Sequence, residues 1–276
     1  MTSSFCMRLL RFGAMALCLV FTAPSVFAAG KSITVGPGKI KTIKLGLAKA
    51  GIGDTVWVEP GVYRENVMVN HGITLKSRML YKAVIDGGKR GIAVSLARKT
   101  TISGFEIRNA TIGVYAKSIG ISISRCRIIY NWLTGIVCVR SLAKIEDNII
   151  AFNGGSGIQL YNVSASSGAI NHNTIAYNGN HGIALGGNAP APIENNIIAF
   201  NERFGIMVKG NRKGLRIESN DMYGNFFGSP GPPMRNLSIN PEFTAPRMKL
   251  DFSIGSKELK NIKGSDNENF GIRFSN

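Results

Sequence analysis

A glycine followed by an aliphatic residue recurs every 22 to 25 residues through the middle of the chain. A unit this short has room for about three strands and no long helix. One unit cannot bury its own apolar face, whereas stacked units share a core, with parallel strands about 4.8 Å apart. The spacing therefore predicts a parallel solenoid. The copies are Gly91-Ile92, Gly113-Val114, Gly135-Ile136, Gly157-Ile158, Gly182-Ile183 and Gly205-Ile206.

The second half of each unit carries asparagines at two fixed places. Asn tolerates left-handed backbone angles and its amide bonds to main chain, so one Asn at each sharp bend can support the next turn of a stack. These residues are therefore predicted to be structural rather than catalytic. Leucine-rich repeats have a similar period, but here isoleucine dominates and their fixed leucines are missing. The two series are Asn109, Asn131, Asn153, Asn178, Asn201, Asn225 and Asn148, Asn173, Asn196, Asn220.

The segments Ile33-Thr-Val-Gly-Pro-Gly-Lys and Gly53-Asp-Thr-Val-Trp-Val-Glu-Pro-Gly-Val-Tyr add a characteristic N-terminal entry. With these segments and the repeats, residues 31 to 254 resemble the right-handed parallel β-helix proteins of the pectin-lyase-like superfamily, in particular exported bacterial proteins with tandem β-helix repeats. The resemblance implies an all-β fold, a single-stranded right-handed parallel β-helix of about eight coils of 22–25 residues. A short helix with Ile40, Ile43, Leu47 and Ala50 on its apolar face is predicted to cap the first coil.

Three regions follow from the composition along the chain. Arg8 and Arg11 precede an apolar stretch, and Val26-Phe27-Ala28 fits a cleavage site, so residues 1–28 are predicted to be a signal peptide. Residues 29–227 form the β-helix domain and residues 228–276 an irregular C-terminal tail. The predicted location is periplasmic or secreted. No later segment is long and apolar enough to predict a membrane span.

The charge is strongly one-sided, with 33 Lys and Arg against 16 Asp and Glu and a formal charge of +17. Such an excess favours an anionic partner. Export favours acidic polysaccharide over nucleic acid as the anionic partner, and no nucleic-acid-binding motif is present. The predicted partner is therefore an acidic polysaccharide. The alternative is that the Lys and Arg side chains simply face solvent without a dedicated partner.

Alignment by the repeat places Tyr115, Lys117, Gln159 and Tyr161 on one outward face of the first strand of each coil. Aromatic rings can cover the CH face of a sugar, amides can bond hydroxyls, and a cation can pair with a uronate. These four residues are the predicted substrate-binding residues. The alternative is that tyrosines on an exposed sheet only reflect strand preference.

A second outward row places Arg125, Asp147 and His172 on consecutive coils, about 5 Å apart. β-Elimination from a uronate needs a base, a group that orients it, and a cation for the carboxylate. These three residues are the predicted catalytic residues, with a structural charge ladder as the alternative.

No cofactor or metal site is predicted. Calcium would need several converging oxygens, and Glu146, Glu194 and Glu218 are too sparse for that. Cys126 and Cys138 are predicted to be buried small residues rather than a disulfide. The predicted function is binding of an anionic, uronate-containing polysaccharide. Whether a lyase-like cleavage or modification accompanies binding stays open, and the alternative function is a non-catalytic structural or surface-interaction module.

Overall fold

The computed structural model describes residues 30–164, 168–227, 236–257 and 259. The predicted signal peptide lies outside the described residues. The elements in chain order are β1 Ser32–Val35, α1 Ile43–Ala48, β2 Thr55–Val58, β3 Gly61–Arg64, β4 Val67–Val69, β5 Thr74–Ser77, β6 Ala83–Asp86, β7 Ile92–Leu96, β8 Thr101–Ser103, β9 Glu106–Arg108, β10 Ile112–Ala116, β11 Ser122–Ser124, β12 Arg127–Ile129, β13 Thr134–Ser141, β14 Lys144–Glu146, β15 Ile149–Ala151, β16 Ile158–Ser164, β17 Ile170–Asn171, β18 Thr174–Ala176, β19 Ile183–Gly186, β20 Pro192–Glu194, β21 Ile197–Ala199, β22 Ile206–Lys209, β23 Arg216–Glu218, β24 Phe243–Ala245, α2 Pro246–Lys249 and β25 Asp251–Ile254.

Three long parallel sheets run the length of the molecule, and each full coil gives one strand to each sheet in turn. Sheet A has nine strands, in the order β1-β2-β5-β8-β11-β14-β17-β20-β23. Sheet B has seven, from β3 to β21, and sheet C has seven, from β4 to β22. The chain therefore turns at an A–B corner, a B–C corner and a C–A corner in every coil. This is the parallel β-helix that the repeat predicts.

Columns of aliphatic side chains fill the interior, because every coil places the same residue type at the same inward position. In sheet A the strand centres Ile102, Ile123, Ile145, Ile170 and Ile193 are fully buried and pair with one another in register. Cys126 and Cys138 are buried and free. The prediction that both cysteines pack as small core residues, without a disulfide, is confirmed.

The two asparagine ladders are present inside the corners. Asn173 illustrates them, because its Nδ2 donates to Asn196 Oδ1 at 3.0 Å while its Oδ1 accepts from the amide of Asn148 at 2.9 Å. Their structural role is confirmed, with two corrections. Asn109 is not a member of the first ladder, because Ala110 occupies the ladder position in that coil. The amide of Ala110 donates to Asn131 Oδ1. The left-handed residue of each bend precedes the ladder Asn, as Asp147 does with φ 55°.

The predicted N-terminal capping helix is present but shorter than predicted, since α1 spans Ile43–Ala48 and leaves Ile40 and Ala50 outside it. Helix α1 buries Ile43 and Leu47 over the first coil, and Ile40 packs against the same core. The Thr42 side chain accepts a hydrogen bond from the amide of Leu45. The carboxylate of Glu65 accepts from the amides of Ile43 and Lys44 at 2.8 and 3.0 Å, which ties the helix to the first full coil.

The described part of the tail adds an antiparallel pair, β24 with β25, joined by α2. Phe252, 4% exposed, packs with Ile129, Ile149 and Ala176 of sheet B. The tail was predicted to be irregular, but here it covers the apolar half of the outer face of sheet B. No helix among the described residues is long and apolar enough to cross a bilayer.

Candidate functional site

The outer face of sheet C carries the predicted binding residues in two rows. Tyr115 pairs with Val137 and Val137 with Gln159, so Tyr115 and Gln159 stand two coils apart in one row. Lys117 and Tyr161 belong to the neighbouring row, nearer the C–A corner. The first repeat was misaligned by two residues, because Val94 and not Ile92 pairs with Val114. Gly91, with φ 60°, belongs to the preceding turn.

Three side chains at the centre of this face form a hydrogen-bonded chain. The Thr134 hydroxyl donates to Gln159 Oε1 at 3.3 Å, and Gln159 Nε2 donates to the Tyr161 hydroxyl. The Tyr161 ring lies over Gly186 of the next coil, where an added Cβ would sit 3.4 Å from Tyr161 Cδ1. Tyr161 is nevertheless 43% exposed. The face therefore presents a fixed aromatic ring and an amide to solvent.

His181 joins the start of this face and was missed by the sequence analysis. It stacks on Phe204 with ring centroids 5.6 Å apart, and its Nδ1 accepts from the amide of Phe204 at 3.3 Å. It is 7% exposed. Burial, together with the nearby Arg203 charge, lowers the pKa of His181. The His181 ring therefore packs against Phe204 and accepts its amide proton, in an environment that disfavours the charged imidazolium.

The C–A corner is strongly basic. Between the sheet C strands and the following sheet A strands, the sequence contains no Asp or Glu in residues 70–73, 97–100, 117–121, 140–143, 162–169, 187–191 and 210–215. Like charges along an edge without opposite charges raise the local concentration of anions. Apart from Lys117, these segments lie beyond the strand rows in which site residues were predicted, although their lack of acids is visible in the sequence once the coils are aligned. Several cations are exposed in these segments and at the adjoining end of β22: Arg98, Lys99, Lys117, Arg140, Lys209, Arg212 and Lys213.

The three predicted catalytic residues lie on consecutive coils at the A–B corner. Arg125, Asp147 and His172 each adopt the left-handed conformation, with φ of 52°, 55° and 53°. Their environments differ, because Arg125 is exposed, Asp147 half-buried and His172 only 3% exposed. The register expected for the three is present. A buried imidazole is, however, poorly placed to take a proton from a polymer outside the helix.

Tyr81 stands at the same corner two coils earlier and was also missed. Its ring lies 4.9 Å from the Arg127 guanidinium. Burial is the main cause that raises the pKa of Tyr81. Arg127 Nε in turn donates to the buried carboxylate of Glu106 at 2.9 Å, and Arg108 donates to the same carboxylate at 2.8 Å. Glu106, Arg108 and Arg127 therefore form an ion-pair network on this part of sheet B.

No group of three or more His, Cys, Asp or Glu side chains in the described part of the chain is arranged to hold a metal ion. In the acidic row of sheet A, Glu146 is bound by Lys144 at 2.9 Å and Glu194 by Arg216. These carboxylates are occupied by cations of their own sheet.

Comparison with known proteins agrees with the architecture. The family described as the right handed beta helix region matches residues 64–198. A search of curated proteins finds no match.

Solved structures with a similar chain path include three carbohydrate-related proteins. An alginate lyase from Paenibacillus sp. str. FPU-7 has 13% identity and a TM-score of 0.44, covering 70% of this chain and 76% of its own. The mannuronan C-5 epimerase A-module of Azotobacter vinelandii has 16% identity and a TM-score of 0.47, covering 74% and 71%. The pectin methylesterase of Aspergillus niger has 14% identity and a TM-score of 0.43, covering 82% and 94%. Values this low say nothing about what the present chain does.

The strand order places equivalent residues of successive coils side by side in three parallel sheets. The family match covers the run from the end of β3 to the middle of β21. The chain therefore folds as a right-handed parallel β-helix.

Proposed function

We propose that this protein binds an acidic, uronate-containing polysaccharide along the outer face of sheet C. The observation that carries the proposal is the exposed Tyr161 ring next to a corner whose turns contain cations and no acids. The leader residues 1–28 would place this binding outside the cytoplasm.

The chemistry of the face supports a sugar ligand. The Tyr161 ring offers a flat apolar surface for CH groups, and Gln159 beside it offers an amide for hydroxyls. Lys117, at the edge of the same face, offers a cation for a carboxylate. A solenoid repeats such groups at a constant axial step, which suits a polymer with a repeating unit.

Catalysis at the A–B corner finds less support. Arg125 can reach a carboxylate from its exposed position, but His172 is buried and proton transfer needs contact with the reacting group. The lyase role of Arg125, Asp147 and His172 therefore stays a prediction, which His172→Ala tests when turnover is measured separately from binding.

The experiment that tests binding compares acidic and neutral polymers. The chain without residues 1–28 is run in affinity gels containing polygalacturonate, alginate or dextran, at increasing salt, while ultraviolet absorbance reports unsaturated uronides. The proposal predicts retardation by an acidic polymer that weakens as salt screens the charges. Equal retardation by dextran, or none by any acidic polymer, would contradict it, and the second result favours the structural module.

A further inference from the structure

We infer that the face of sheet C holds its acidic polymer at two separated cationic points, Lys117 and Lys209, with Tyr161 midway between them. The inference rests on the proposed function and deepens it, because it specifies how long and how charged the bound segment must be. Neither lysine contributes to the core, since both are exposed.

The register places these residues in one straight row. Val139 pairs with Tyr161, Tyr161 with Gly186 and Gly186 with Lys209. Lys117 stands beside Val139, because the preceding residues Ala116 and Cys138 are partners. Lys117 and Lys209 are thus four coil steps apart, roughly 19 Å at about 4.8 Å per step. Tyr161 is two steps from each.

The cations of the C–A corner follow the same division. They occupy three consecutive coils at one end, with Arg98 and Lys99, then Lys117, then Arg140. The next two coils place Asn162 and Asn188 at this corner and no charged residue. The last coil adds Arg212 and Lys213 to Lys209. Cations therefore lie on both sides of two uncharged coils, and these two coils offer the Tyr161 ring and amides.

This arrangement predicts a length threshold. A short acidic oligomer engages one end only, whereas a longer one engages the second end as an intramolecular step at high effective concentration. Affinity should rise steeply once an oligomer spans roughly 19 Å, the length of four coil steps. A uniformly basic surface would instead give a gradual rise with the number of charges. The ligand is thus a linear polymer with acidic groups on both sides of a segment that crosses Tyr161.

The test titrates size-graded oligogalacturonates into the wild type, Lys117→Gln, Lys209→Gln and the double variant by calorimetry. Lys44→Gln, at an exposed position on α1, is the matched control. Below the threshold each single variant should lose at most about twofold in affinity, because the other end remains. Above it each single variant should lose about tenfold, because binding falls back to the one remaining end, and the double variant should lose more than either single variant, because neither lysine remains.

The outcomes separate the two levels of the account. A smooth rise in affinity with length, together with single-variant losses that are the same below and above the threshold, overturns the two-point inference, while binding of long polymer keeps the proposed function. Failure of the wild type to bind even long polygalacturonate and alginate overturns both. A loss in Lys44→Gln equal to that in Lys117→Gln also overturns the inference, because it shows that only net charge matters.

Discussion

Sheets B and C are built from the same coils, but the C-terminal tail covers part of the outer face of sheet B, while the outer face of sheet C carries exposed side chains. Beyond Arg127, the outer rows of sheet B carry Ile and Ala with one Thr, and the tail hairpin covers them. The outer rows of sheet C mix Val, Ala and Met with tyrosines, an amide and lysines, and Lys117, Tyr161 and Lys209 in the row nearer the C–A corner are exposed. The types of outward residue on a strand thus depend on whether another element covers it. The uncovered outer face of sheet C is therefore the one to examine for binding.

The corners beside the two faces show the same contrast. At the B–C corner Tyr130, Phe152, Tyr177 and Phe200 stack with centroids 5.4, 5.3 and 5.1 Å apart, and Arg247 of α2 lies 5.0 Å from the Tyr177 ring. The C–A corner carries cations that are exposed. At the B–C corner the aromatic rings thus stack on one another along successive coils, whereas the Tyr161 ring on sheet C lies over Gly186 and its hydroxyl bonds the Gln159 amide.

The largest expected effect comes from removing the tail's anchor. Phe252→Ala should lower the free energy of unfolding by about 3 kcal/mol, because a buried aromatic leaves a cavity. Chemical denaturation measures the loss, and polysaccharide binding by the folded variant should be unchanged. Met248→Ala, at a residue that is 90% exposed on α2, is the control and should be neutral. Equal stability of both variants would mean that the tail does not cover sheet B.

The charged half of sheet B gives the second effect. Glu106→Gln removes the carboxylate that bonds Arg108 and Arg127, which leaves two neighbouring cations. We expect a loss of about 2 kcal/mol, below the usual cost for a buried pair because both arginines are partly exposed. Denaturation midpoints compared with those of Glu202→Gln, at an exposed position, measure it. A neutral result would show that this network does not hold the sheet.

On sheet C a substitution should lower polymer affinity and leave the free energy of unfolding nearly unchanged. Tyr161→Ala should lower affinity for the acidic polymer about tenfold, or about 1.4 kcal/mol, since a central aromatic contact is lost. Its unfolding free energy should change little, because Tyr161 is 43% exposed. Tyr130→Ala is the matched control at 46% exposure on the B–C corner. Loss of binding in the control and not in Tyr161→Ala would reverse the assignment of the two regions.

The smallest effect is a pH dependence at His181. Its pKa is lowered in the folded protein, so below pH 6.5 the unfolded chain binds the proton more readily than the native state. Stability should therefore fall as pH drops below about 6.5, and His181→Gln should make this decline shallower. Chemical denaturation at pH values from about 5 to 7, where histidine titrates, gives the slope of the unfolding free energy against pH. His71→Gln, at an exposed turn, is the comparison, and a steeper decline in His181→Gln would contradict the sign.

The periodic part of the fold was predictable because one physical rule repeats. Isoleucine at the same inward position and Asn at the same bend fix the stacking, and both were readable from the 22–25 residue period. Alignment failed at Gly91, where the first repeat begins two residues later than its glycine suggests. The period also explains why Lys117, Gln159 and Tyr161 could be placed on one face before the structure was known.

Features that depend on contacts outside the period could not be predicted. Phe252 meets Tyr177 across 75 residues of chain, with centroids 6.4 Å apart, and no repeat signals that contact. Tyr81 also meets Arg127 across two coils, with the guanidinium 4.9 Å from the ring, and no repeat signals that contact. The burial of His172 likewise belongs to the folded molecule, since its sequence position is equivalent to the exposed Arg125.

The central claim, that sheet C and not the aromatic corner receives the polymer, is tested most directly by chemical modification of tyrosine. Tyr161 and Tyr130 have nearly equal exposure, 43% and 46%, so they should react at similar rates in the free protein. Rates are measured by mass spectrometry with and without saturating polygalacturonate or alginate. The account predicts that the polymer protects Tyr161 and leaves Tyr130 reactive. Protection of Tyr130 with Tyr161 still reactive would contradict it.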